Sequence, residues 1–143
     1  MIKSEDSVVV CVYGSLLRGL YNFPIMEPYI LAEYGKGKIS GSIIDLGAYP
    51  GLLLDEDGEV VVEWYSVTTE GLKRLDRLEG FPTFYARDEV SDLTNPMLRG
   101  WVYHLTGKPL FSKYPRVELG DWKTYFLAKT ASQKTHAPKS AIC

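Results

Sequence analysis

The sequence predicts an α+β domain: a small mixed β-barrel of about six strands, with one main helix and short flanking helices. Three observations predict it. A single segment, 69–79, carries a strong helical period among several β-rich segments. Glycines recur inside strand patterns, at Gly35, Gly37 and Gly41, where bulges and bends curve a sheet. Strands and helices do not alternate as a doubly wound fold requires. The 143 residues fit one domain. A chain of this size buries roughly 68–70% of its unfolded surface, so neither disulfides nor a metal are needed to hold its core.

Each element has a local reason. Residues 1–7 are polar and read as a loose start. The β-branched run 7–13 stops at Gly14 and reads as a buried strand. Residues 16–30 contain glycine, asparagine and two prolines, which predicts a loop with one short helical turn. β-friendly stretches fill 31–46, broken by the three glycines. Tyr49-Pro50-Gly51 marks a turn, and Leu52 to Leu54 a short strand. Asp55-Glu56-Asp57-Gly58 is a hairpin turn leading into a strand over 59–67. The helix over 69–79 has Thr68 or Thr69 as cap, Glu70 in its first turn, and Gly80 and Pro82 at its end. Two strands, 84–92 and 98–105, flank the turn Thr94-Asn95-Pro96, and a short final helix spans 120–128. The domain is thus expected over 1–128, with a polar tail over 129–143.

Composition narrows the function. Sixteen basic against eighteen acidic residues give a net charge of −2, which excludes a strongly basic nucleic-acid binder as the default. No apolar run approaches the roughly 18 residues that span a bilayer. The run Val8 to Val12 is too short for the core of a secretion signal. A cytoplasmic protein is expected, with no membrane partner and a monomer as the starting assumption. Cys11 and Cys143 make no disulfide framework, and two histidines make no zinc signature, so no metal and no cofactor are expected. The alternating aromatics Trp64, Tyr65, Trp101 and Tyr103 read as core at strand spacing rather than as a base-stacking platform.

Glu79 stands out. Leu72, Leu75 and Leu78 define the buried stripe of the helix. At 100° per residue Glu79 falls within that arc, away from Lys73, Arg74 and Arg77. Burial and the helix C-terminus both disfavour its charged form, which tunes a carboxyl group for accepting and returning a proton. A plain alternative is that a last-turn Glu turns out to water or pairs with Arg87. Tyr85 and Arg87 share one strand face just beyond the helix, and either could reach the carboxylate.

Tyr13, Gly14, Ser15 and Leu16 form a tight loop directly after the first strand. Glycine lets a ligand approach the backbone, and successive N–H groups can hold a carboxylate. An ordinary strand-to-loop turn is the alternative. The spacing is neither a P-loop nor a nucleophile elbow. A Ser15 nucleophile would need a base, and His104 and His136 are isolated in the sequence.

Taken in order, these residues resemble the γ-glutamylcyclotransferase-like, or AIG2-like, family. The resemblance runs from Val12-Tyr13-Gly14-Ser15-Leu16 and Gly19 through Tyr49-Pro50-Gly51-Leu52 and Glu63-Trp64-Tyr65. It is strongest at Leu75-Asp76-Arg77-Leu78-Glu79-Gly80-Phe81-Pro82 with Tyr85-Ala86-Arg87, and ends near Gly120-Asp121-Trp122 and Tyr125. The resemblance implies a small mixed barrel with a cavity between the Tyr13–Leu16 loop and the helix end. It implies that Glu79 is the acid/base and that Tyr13, Gly14, Ser15 and Leu16 bind the substrate's α-carboxylate; Tyr85 and Arg87, from their strand face, are the expected supporting residues. The implied reaction is attack of a γ-glutamyl α-amine on its own γ-carbonyl, giving 5-oxoproline and a free amine without a cofactor. A non-catalytic binding module on the same fold is the alternative. Two departures bear on the leaving group: Leu16 stands where some relatives carry Asn, and Val62-Glu63-Trp64-Tyr65 replaces a common Gly-Glu-Leu-Tyr, so that Val62 would narrow the cavity.

Overall fold

A computed structural model describes residues 6–106 and 113–133. Most of the expected loose start and the tail beyond residue 133 lie outside the described residues. The class is α+β. Strands β1 (Ser7–Val12), β2 (Ile30–Ser40), β5 (Glu59–Thr68), β6 (Tyr85–Ser91) and β7 (Arg99–Leu105) form one mixed sheet in the order β2-β5-β1-β7-β6. Strands β3 (Ser42–Asp45) and β4 (Pro50–Leu53) pair separately as a hairpin. Helix α1 (Phe23–Met26) is a single turn, α2 (Thr69–Glu79) the main helix, and α3 (Trp122–Gln133) closes the described chain.

The β-friendly stretch 31–46 resolves into two strands because Gly41 breaks it at a φ of 143°. Residue 129 does not begin a tail. The final helix continues to Gln133, and Lys129 holds it down by bonding Asp45 and the Gly47 carbonyl, both at 2.9 Å.

The large sheet is not a closed barrel: no ladder joins its edge strands β2 and β6. It curls instead. Two register shifts in β2, around Ala32 and Gly35, bend that edge. The turn after β6 then reaches across to β2. Leu93 N–H donates to the Lys38 carbonyl at 2.8 Å, and Asp92 Oδ1 accepts from Lys38 N–H at 2.9 Å and Trp64 Nε1 at 3.0 Å. Asp92 Oδ2 takes Thr94 and Asn95. Burial pushes the Asp92 carboxyl up, but these hydrogen bonds outweigh it and bring it down to about 2.

β1 is the centre of the sheet, antiparallel to β5 and parallel to β7. Buried Val10, Val12, Val60, Val62, Trp64 and Val102 pack the core around it. Because β1 is central, the loop that leaves its C-terminal end starts deep in the molecule.

Candidate active site

Helix α2 delivers Glu79. Thr68, in extended conformation, caps the helix by accepting Gly71 N–H at 3.0 Å. The buried residues are Gly71, Leu75 and Glu79, at steps of four, with Leu72 and Leu78 half-buried on the flanks. Gly71 packs so closely that a Cβ there would sit 2.5 Å from Cβ of Tyr29. Gly80 ends the helix in the left-handed region at φ 68°, and Phe81 N–H turns back to the Asp76 carbonyl at 3.0 Å. Glu79 is therefore the last helical residue, on the inward face, and it is 0% exposed. No hydrogen bond reaches its Oε1 among the described residues; the carboxylate does interact electrostatically with Tyr103.

Arg87 is engaged by Asp76, one helical turn before Glu79. Nε and an Nη donate to the two Asp76 oxygens at 2.8 and 3.1 Å. The guanidinium carbon lies over the rings of both Phe81 and Trp101, 4.5 and 4.6 Å from their centroids. The hydrogen bonds it donates to Asp76 hold the Arg87 cation firmly protonated. Tyr85 is fully buried and donates its hydroxyl to the Pro50 carbonyl at 2.6 Å, tying β6 to the β3–β4 hairpin. Phe84 packs edge-on against both Tyr85 and Tyr49.

Tyr13, Gly14, Ser15 and Leu16 are all buried. Tyr13 donates its hydroxyl to the Tyr103 carbonyl at 2.9 Å. Leu17 N–H closes a turn onto the Gly14 carbonyl at 2.9 Å. Asn22 braces the loop twice, from its side chain to Ser15 Oγ at 3.1 Å and from its backbone to the Ser15 carbonyl at 2.9 Å. Glu63 braces it from β5, accepting Arg18 N–H at 2.9 Å and the Tyr65 hydroxyl at 2.7 Å. Ser15 Oγ is thus paired with Asn22, while His104 is held by Asp88 at 2.6 Å. That arrangement does not assemble a nucleophile with a base.

Two residues that the sequence reading left out of the site stand between its halves: Asp76 and Tyr103. Tyr103 donates to Asp76 Oδ1 at 2.6 Å. Burial and the Asp76 hydrogen bond push the Tyr103 hydroxyl well up, with a further push from Glu79, so it is a permanent donor. Asp76 carried a signal, lying one turn from Glu79 on a helix whose inward face was known. Tyr103 carried none, because its register against Arg87 is a tertiary fact. Among the described residues, no group of three or more His, Cys, Asp or Glu stands together as a metal site.

The curled sheet, the carboxyl group enclosed at a helix end and the tight loop beside the central strand define a small α+β enzyme domain. The chain belongs to the γ-glutamyl cyclotransferase, AIG2-like family, whose profile matches residues 10–124. It is 35% identical over 139 residues to the γ-L-glutamyl-butirosin B γ-glutamyl cyclotransferase of Niallia circulans, covering 90% of this chain and 85% of that one. It is 34% identical over 127 residues to a putative γ-glutamylcyclotransferase of Methanocaldococcus jannaschii, covering 81% and 96%. The crystal structure of an AIG2-like protein of Mus musculus shares the fold with a TM-score of 0.66, at 28% identity and coverage of 78% and 86%.

Proposed function

We propose that this enzyme converts a γ-glutamyl amide to 5-oxoproline and the free amine, with Glu79 moving the proton. The observation that carries this reading is a completely buried carboxyl at the end of α2, linked through Tyr103 to the loop that begins at Tyr13. The substrate's α-ammonium must lose a proton before its nitrogen attacks the γ-carbonyl. Glu79 accepts that proton and then delivers one to the departing amine, so the acid and the base are a single group. Nucleophile and electrophile belong to one molecule, and orienting the chain supplies the proximity.

The loop Tyr13–Leu16 holds the substrate's α-carboxylate with backbone N–H groups. Leu17 and Arg18 already donate to Gly14 and Glu63, which fixes the loop's far end. Tyr85 and Arg87 support the site from β6, Arg87 through Asp76.

The test is 5-oxoproline release, by mass spectrometry, from γ-glutamyl amino acids, γ-glutamylamines and a γ-glutamyl group on a larger amine. The last class is included because a relative is named for γ-L-glutamyl-butirosin B. Release from at least one class is expected, and its rank order identifies the leaving group. Tight binding of these compounds with no release from any of them would make the domain a binding module instead.

A further inference from the structure

Helix α2 and the loop after β1 are linked by one residue that bonds both. Tyr103 is buried on β7, directly opposite Arg87 of β6. Its backbone carbonyl accepts the Tyr13 hydroxyl at 2.9 Å. Its own hydroxyl donates to Asp76 Oδ1 at 2.6 Å, and that same oxygen accepts from Arg87 Nε at 2.8 Å. Asp76 lies three residues before Glu79 on the same helix.

We propose that Tyr103 is a positioning residue for cyclisation. Through Asp76 it fixes the helix end that carries Glu79 at a set distance from the loop that begins at Tyr13. This inference rests on the cyclotransferase reading above. The cyclisation needs that distance held, because the carboxylate anchor on the loop and the proton acceptor on the helix act on the two ends of one small fragment. A misplacement of about 1 Å is enough to cost large factors in rate. Among the titratable and charged groups on these elements, the contacts bring together Asp76 on α2, Arg87 on β6, Tyr103 on β7 and Tyr13 after β1, with Glu79 acting electrostatically on Tyr103. Asp76 Oδ1 accepts from both Arg87 and Tyr103, so losing the Tyr103 O–H leaves its negative charge less compensated at the helix end.

The experiment compares the full chain with Tyr103→Phe, which deletes the phenol oxygen but keeps the ring and the carbonyl that Tyr13 uses. Tyr34→Phe, half-exposed on β2, is the control. The readouts are kcat and KM for 5-oxoproline release across pH, and the carboxyl 13C titration of Glu79 by NMR. In Tyr103→Phe, kcat is expected to fall about tenfold while KM stays within about twofold. The Glu79 titration is expected to move to higher pH, because losing the O–H dipole leaves more of the negative Asp76 potential at the helix end. Tyr34→Phe is expected to match the native protein in both.

An unchanged kcat with an unchanged Glu79 titration overturns the proposal, and so does an effect confined to KM. A native protein that releases no 5-oxoproline would refute the cyclotransferase reading instead, and the titration alone then decides whether Tyr103 acts on Glu79. If Tyr103→Phe loses its fold by circular dichroism, Asp76→Asn replaces it. That change removes the acceptor through which Tyr103 acts, so kcat is expected to fall about tenfold with KM within about twofold; an unchanged kcat overturns the proposal.

Discussion

Glu79 is enclosed because of its position on a helical wheel, and that much could be read directly from the leucine spacing of α2. What the spacing could not show is how Arg87 is used. Arg87 and Glu79 are close in sequence and opposite in charge, yet the guanidinium meets Asp76 with two hydrogen bonds and sits over two aromatic rings. The geometry favours Asp76 because a planar fork matches a carboxylate in a two-bonded pair, and β6 presents Arg87 beside the helix's penultimate turn. Arg87→Met preserves an unbranched stem between Phe81 and Trp101 but removes both bonds to Asp76. It is expected to cost about 2 kcal/mol in urea unfolding. A change below about 0.5 kcal/mol would show that the pair is energetically idle, as many exposed ion pairs are.

At the scale of elements, the site depends on how closely β1 and β7 approach. Gly100 makes that approach possible: a Cβ there would lie 2.3 Å from the Val9 carbonyl oxygen and 2.6 Å from its carbon. Those are backbone atoms of the central strand and cannot swing away. Gly100→Ala is therefore expected to destabilise the fold by more than about 2 kcal/mol, and to part Tyr13 from Tyr103 in whatever fraction folds. Denaturant unfolding checks the first effect, and the Tyr13 hydroxyl environment by NMR checks the second. The strands themselves were legible from β-branched runs and turn dipeptides. Their pairing was not, because a sequence pattern fixes which face a residue takes but not which strand lies beside it. For that reason Tyr85 and Arg87 could be assigned to one face, while Trp101 and Tyr103, which complete that face from β7, read only as core aromatics.

The whole molecule is held in its curl by Asp92 as much as by strand pairing. The glycines of β2 announced curvature, and the expected barrel captures its sense. The closure of that curve by a turn carboxylate was not legible, since it depends on Lys38, Trp64 and Thr94 converging from separate elements. Gly37 leaves the space it occupies: a Cβ there would fall on the carboxylate, 1.9 Å from Asp92 Oδ1. Because the Asp92 carboxyl is held at about 2 in the fold, below its ordinary value near 3.9, its contribution is complete above about pH 4. It is lost as the pH falls from about 4 through 2, where protonation becomes necessary. Asp92→Asn is expected to be less stable than the native protein at pH 7 and to lose less stability between pH 4 and 2. Urea midpoints across that range test this, and parallel acid losses in both proteins would contradict it.

The Asp92 cluster that fastens the curl and the Tyr13–Tyr103–Asp76 link both serve one proposed act, a proton taken and returned by Glu79. The most direct measurement is 5-oxoproline release by Glu79→Gln beside the native protein, on the best substrate of the panel, with the fold of both verified by circular dichroism. A loss of at least about 100-fold in kcat, with substrate binding retained, is the expected result. A folded Glu79→Gln protein that turns over at the native rate would contradict the assignment.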